Sequence, residues 1–200
     1  MHTILATTVA AATVAVAAFA AAPAFAQDAN PFVGPRIEMT AGYDSTRIAD
    51  QPAGTPDSVS QARIGTAIGY DIALSPKVTL GAEIGAGFTL GKGRDYRVAA
   101  TDFEVDQGRD LDASLRLGYR VGDRTLIYGK AGWANSQYIA RATNGTTTLR
   151  ERSNEDGLRL GAGVEHMFGK SLYAKAEYRY TSYGHDVNRH QGLVGVGLRF

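Results

Sequence analysis

Four residues near the C-terminal end have the types that acyl-transfer chemistry uses: Ser182 as nucleophile, His185 or His190 as base, and Asp186 as the acid that orients it. Their order does not suit that chemistry. A hydrolase pattern of His-x-Ser followed by Asn would place a serine two residues after His185, and the chain instead reads His185-Asp186-Val187-Asn188. With four histidines, no cysteine and carboxylates without paired spacing, the sequence offers neither a thiolate nor a metal ligand set. The Gly85-x-Gly87 and Gly161-x-Gly163 runs lie inside alternating segments with no helix after them, so they do not form a phosphate loop. No catalytic residue, cofactor or metal is therefore expected, and His166 is expected in a bland interfacial role.

A larger set of charged residues sits where charge is unusual. Glu38, Glu83, Arg116, Lys130, Arg159, Glu165, Lys175, Glu177 and Arg179 lie inside runs whose alternate positions are apolar or small, as does Arg199. In an extended chain successive side chains point to opposite faces, so one face of each run collects the charges and the other the apolar residues. Acids and bases interleaved in this way can pair with one another across a narrow space, or they can line a narrow path for small solutes. They do not make a polyanion-binding surface. Lys and Arg are dispersed and the formal net charge is only +1, so no nucleic-acid partner is expected.

Eight segments carry this two-residue rhythm: 34–45, 61–73, 77–90, 109–121, 125–139, 157–168, 172–181 and 191–200. The third is the clearest, with Val78, Leu80, Ala82, Ile84, Ala86, Phe88 and Leu90 opposed to Lys77, Thr79, Gly81, Glu83, Gly85, Gly87 and Thr89. The fifth is the least tidy. Turning Lys130 inward puts Ile127, Ala131 and Trp133 on the apolar face but also turns Leu126 and Tyr128 inward. Short polar connections (74–76, 122–124, 169–171) alternate with long ones (46–60, 91–108, 140–156, 182–190). That is the layout of a transmembrane barrel with tight periplasmic turns and long external loops.

Aromatic residues fall at segment ends, with Tyr70, Tyr119, Phe168 and Phe200 toward the short turns and Tyr43, Phe88 and Tyr180 toward the long loops. Two such girdles fit a bilayer, and about ten residues suffice for a tilted strand to cross it. Closure of the ring leaves no backbone edge in lipid. The fold class is all-β: an eight-stranded antiparallel transmembrane β-barrel in an up-and-down meander. A cleavable signal peptide, 1–26, is expected to precede a barrel domain, 27–200. An alanine-rich apolar run closed by Ala24-Phe25-Ala26 carries that expectation, although the short start has no Lys or Arg.

The closing segment GLVGVGLRF, the run YAKAEYRYTSYG (173–184) and YGKAGWA (128–134) resemble the eight-stranded outer-membrane β-barrel family of Gram-negative bacteria. That family groups the outer membrane protein A transmembrane domain with opacity-type surface proteins. The resemblance implies residence in the outer membrane, with outer-membrane lipid as a partner. It also implies that Val194, Val196, Leu198 and Phe200 form the signal read by the barrel-insertion machinery. An unknown surface ligand at the long loops is the other implied partner. Eight strands enclose a space that side chains can fill, so the expected role is structural or surface-interacting, with a lumen of paired charges. A narrow porin-like channel is the alternative. Some barrels of this size modify lipid A, and the residues noted above do not match such an enzyme.

Overall fold

The computed structural model describes residues 30–48, 58–90, 94–98, 101–144, 147–183 and 187–200. The expected signal peptide lies outside these residues. The described chain forms nine strands: β1 (Gly34–Ile48), β2 (Ser58–Ala73), β3 (Val78–Leu90), β4 (Arg94–Val98), β5 (Thr101–Val121), β6 (Thr125–Asn144), β7 (Thr147–Met167), β8 (Leu172–Tyr183) and β9 (Val187–Arg199). All pairings are antiparallel. Eight of the strands form a closed meander, sealed where β9 pairs with β1 and where β3 pairs with β5. β4 stands outside this ring, paired only with the start of β5.

The facing of the side chains is the reverse of a water-soluble barrel. Leu115 is 63% exposed and Val194 62%, whereas Arg116 is 1% exposed and Glu83 2%. Apolar residues on an outer wall are stable only where that wall meets lipid, so the exposed belt is the transmembrane surface. β6 follows the same rule: Ile127 and Trp133 point outward, and Leu126, Tyr128 and Lys130 are buried inside. An apolar floor of Phe32, Leu126, Met167 and Tyr173 closes the interior at the short-turn end. Two of the tight turns there use positive φ at glycine, Gly122 at 73° and Gly169 at 138°, a backbone state costly for residues with a Cβ.

The long connections are shorter than their polarity suggests. The 91–108 segment contains β4 and the first part of β5, and 140–156 is almost all strand, leaving β6 and β7 joined through 145–146. β1, β2, β8 and β9 likewise extend into 46–60 and 182–190. Beyond the bilayer neither face of a strand must be apolar, so the alternation fades while antiparallel pairing continues. From Asn144↔Thr147 down to Trp133↔Leu158 the β6–β7 ladder is unbroken. On the β5 side the register shifts between Gln107 and Asp110, where two residues stand against one on β6, as in a β-bulge at a barrel rim. β4 and the outer parts of β5, β6 and β7 thus form a blade standing beyond the ring.

Candidate functional site: the charged lumen

Inward positions of all eight ring strands meet in one ion-pair network, which can be followed from the short turns outward. At the bottom, Arg199 Nε lies 2.7 Å from Glu165 Oε1, and Arg116 Nη2 lies 2.8 Å from Glu165 Oε2. Asp71 Oδ2 accepts from Arg199 Nη1 at 2.9 Å and from Arg36 Nε at 3.0 Å. Arg199 also donates to the Phe32 carbonyl at 2.9 Å, tying the network to the apolar floor. The Arg116 guanidinium lies 4.0 Å above the Tyr128 ring centroid, a cation–π contact strengthened by exclusion of water.

Arg36 links this layer to the next. Its Nη1 meets Glu38 Oε2 at 3.1 Å and its Nη2 meets Glu83 Oε2 at 2.7 Å. Lys130 Nζ bridges Glu83 Oε1 at 2.7 Å and Glu177 Oε1 at 2.9 Å. Lys175 pairs with Glu38, and its Nζ lies 3.0 Å from Glu177 Oε2. Two tyrosines complete the carboxylates: Tyr173 donates to Glu38 at 2.8 Å and Tyr128 to Glu177 at 2.6 Å.

Arg179 continues upward, pairing with Glu177 and reaching Asp112 Oδ1 at 3.4 Å. Arg159 donates to Asp112 Oδ1 at 2.9 Å and to both oxygens of Asp110 at 2.9 and 3.0 Å. Arg63 Nη1 lies 3.0 Å from Asp110, and Arg189 Nη2 lies 3.1 Å from Asp44. Ser136, Tyr183 and Gln191 add hydrogen bonds to this upper layer.

Among the described residues the interior holds nine buried cations and eight buried carboxylates, so its charges nearly cancel. Glycine makes the room. A Cβ on Gly69 would sit 2.7 Å from Arg36 Nη2, and one on Gly163 2.6 Å from Tyr128 Oη. The inward glycines therefore stand opposite the longest side chains, and large and small residues interdigitate across the lumen.

Each of the nine expected lumen charges is buried in this network: Glu38, Glu83, Arg116, Lys130, Arg159, Glu165, Lys175, Glu177 and Arg179. The sequence pattern did not single out several of their partners. Arg36, Asp44, Arg63 and Asp71 lie near segment ends, where a charge reads as solvated. Asp110 sits beside the bulge, and Arg189 falls in the expected 182–190 loop. Even numbering shared with Asp112 and Ser114 would have marked Asp110 as inward.

Of the four residues with hydrolytic types, two are described. Ser182 stands opposite Asn188, and His190 stands opposite Tyr180. The His190 ring nitrogen Nδ1 is engaged by Tyr178 Oη at 2.5 Å. His185 and Asp186 lie outside the described residues. His166 pairs with Thr125 Oγ1 at 3.0 Å and meets the Phe168 ring edge-on at 5.2 Å. No cluster of three metal-ligating side chains occurs among the described residues. Val194, Val196, Leu198 and Phe200 all face outward at 43–62% exposure, on the strand that seals the ring against β1.

Comparison with known proteins agrees with this geometry. The family model described as "Outer membrane protein beta-barrel domain" matches residues 12–200. The 25 kDa outer-membrane immunogenic protein of Brucella ovis is 30% identical over 124 residues, 62% of this chain and 57% of that protein. The chain thus spans little more than half the length of that relative. The 31 kDa outer-membrane immunogenic protein of Brucella melitensis is 27% identical over 174 residues, covering 76% of this chain and 72% of the relative. Among solved structures, the attachment invasion locus protein Ail of Yersinia pestis superposes with a TM-score of 0.56 at 17% identity. That match covers 82% of this chain and 98% of Ail. Neisserial surface protein A gives 0.55 at 16% identity, covering 83% and 97%.

Proposed function

We propose that this chain, which belongs to the outer-membrane protein β-barrel domain family, is a non-conducting, non-enzymatic barrel whose lumen is a structural plug and whose external end is an interaction surface. The observation that carries this reading is the continuity of the ion-pair network from Arg199 to Arg189, with side-chain exposures of 0–4% throughout. A conducting path needs a column of water, and here guanidinium, ammonium, carboxylate and phenol groups fill the column and pair with one another, while single atoms such as Arg116 Nη1 and Arg199 Nη2 keep no hydrogen-bond partner among the described residues. Breaking one such buried pair costs about 3–5 kcal/mol, so thermal opening of a whole layer is rare. The Brucella relatives are named as outer-membrane immunogenic proteins, which fits display at the cell surface. The outward stripe of Val194, Val196, Leu198 and Phe200 on the sealing strand fits a role in recognition by the insertion machinery.

Single-channel conductance of the protein refolded into a planar bilayer tests the plug, with heat-modifiable gel migration confirming the folded barrel. A folded, silent barrel is expected. Reproducible current steps would replace the plug with a narrow porin-like channel.

A further inference from the structure

The contact between β9 and β1 differs from the others in the ring. Every other pair of neighbours follows in chain order, whereas this one joins the last strand to the first, so its two sides are held only through space. Its ladder ends at Arg36↔Arg199, with one further bond from Phe200 N to the Pro35 carbonyl at 3.0 Å. The residues just before β1 add a fastening beyond that point. Asn30-Pro31-Phe32-Val33 is a tight turn: Val33 N donates to the Asn30 carbonyl at 3.2 Å, and the Asn30 side chain accepts from Phe32 N at 3.1 Å. Asparagine at the first position and proline at the second suit such a turn. Gly34 follows with a φ of 108°, and a Cβ there would lie 2.6 Å from the Phe200 carbonyl oxygen, so glycine lets the chain bend in across the end of β9. The turn delivers Phe32 to the floor, where it is fully buried with Leu126, Met167 and Tyr173. Its carbonyl accepts from Arg199 Nη1 at 2.9 Å, and the Arg199 guanidinium lies 5.8 Å from its ring centroid. Arg199, Tyr173 and Met167 stand on or at the ends of β9, β8 and β7, the three strands next across the seam, and Leu126 stands on β6, opposite β1 in the ring.

We infer that Asn30–Val33 is a strap that locks the closed ring: Phe32 seats only after β9 has met β1, and the seam cannot part until Phe32 leaves the floor. The order follows from the seat. Its walls come from four strands, β6 to β9, so a chain whose last strand is not yet in place has no seat to offer. In the reverse direction, drawing β1 away from β9 pulls Phe32 past Arg199 and away from Tyr173, and brings a fully buried aromatic ring out to water at the membrane surface. Parting the seam also leaves the backbone groups of two strand edges unpaired in lipid. The strap therefore holds shut the one ring contact that no connection between its strands holds. A contact made after the barrier to folding has been crossed acts on the rate of unfolding and leaves the rate of folding nearly unchanged.

The protein refolded into phosphatidylcholine vesicles tests the strap, with unfolding and refolding in urea followed by tryptophan emission. Phe32→Ala should unfold about a hundredfold faster and refold at nearly the parent rate. Asn30→Ala, which loosens the turn and keeps the aromatic ring, should unfold about fivefold faster and serves if the first variant does not refold. A bridge across the seam separates a lock from ordinary core burial. Met39 and Val196 are directly opposed on β1 and β9 and both face outward. The chain has no cysteine of its own, so an M39C/V196C background can be oxidised to a single disulfide. With the seam bridged, either strap variant should lose most of its effect on unfolding, and reduction of the bridge should restore it. An equal acceleration in the bridged and reduced proteins would make Phe32 a floor residue only and overturn the strap. An unfolding rate unmoved by Phe32→Ala would do the same, as would refolding slowed as much as unfolding is hastened, since Phe32 would then act before the ring closes.

Discussion

Arg36→Met is the sharpest perturbation of the lumen, because it keeps most of the side-chain length and removes one guanidinium that three carboxylates share. Without that guanidinium, the ion pairs at 3.0 Å to Asp71, 3.1 Å to Glu38 and 2.7 Å to Glu83 are all broken. Hydrogen bonds to charged groups contribute about 1.5–3 kcal/mol each, giving a gross cost of roughly 5–9 kcal/mol. Each carboxylate keeps another partner: Asp71 keeps Arg199, Glu38 keeps Lys175 and Tyr173, and Glu83 keeps Lys130. The expected net cost is therefore about 3–5 kcal/mol, the range for breaking a buried pair. Urea unfolding in lipid vesicles measures it, with Trp133 as reporter. It is the chain's only tryptophan and lies 57% exposed on the outer wall, so its emission follows removal from lipid. A double-mutant cycle with Glu83→Gln should give a coupling above about 1 kcal/mol, since the two side chains are in direct contact. A cost below about 1 kcal/mol with no coupling, as for solvated ion pairs, would mean that water fills the lumen, and it would refute the plug.

Leu115→Arg puts a charge on the outer wall at mid-bilayer and should cost roughly 2–4 kcal/mol, more in thick bilayers than in thin ones. Its neighbour Ser114 is 7% exposed and inward, so Ser114→Arg should destabilise by overpacking, by about 1–3 kcal/mol, without dependence on bilayer thickness; equal thickness dependence for both would contradict the facing. Gly69→Val should cost at least as much as Ser114→Arg, because its Cβ meets the Arg36 guanidinium at 2.7–2.8 Å, and a stable, fully folded variant in the same urea assay would show that the lumen is loosely filled. Joining residue 140 to residue 151 by a two-residue turn removes the outer part of the β6–β7 hairpin and should leave heat-modifiable migration intact, since the ring pairs below the bulge. Failure to refold would make the blade a part of the barrel's folding unit.

The ring was legible in the sequence because a membrane barrel imposes the strictest patterning a strand can carry. Lipid on one side and a crowded polar lumen on the other leave few exceptions over about ten residues, so 77–90 reads unambiguously. The 125–139 segment was harder because Leu126 and Tyr128 serve the floor and the Arg116 cation–π contact. Apolar groups inside a polar lumen blur the alternation, and only the inward demand of Lys130 fixes the phase.

Beyond the bilayer the constraint on both faces lapses, and with it the signal. β7 from Thr147 to Asp156 has a single apolar residue, Leu149, and reads as a loop, yet it continues the same unbroken β6 ladder as the span below it. What survives there is a weaker pattern of charge sign and not of hydropathy: arginine at 150 and 152 alternates with glutamate at 151 and serine at 153. In a flexible loop that order would have no geometric meaning. In a paired strand it places Arg150 and Arg152 on the face that carries Leu158, and Glu151 on the other. The same two-residue period that turns Leu158 to lipid and Arg159 to Asp110 and Asp112 turns Arg152 to the outer face.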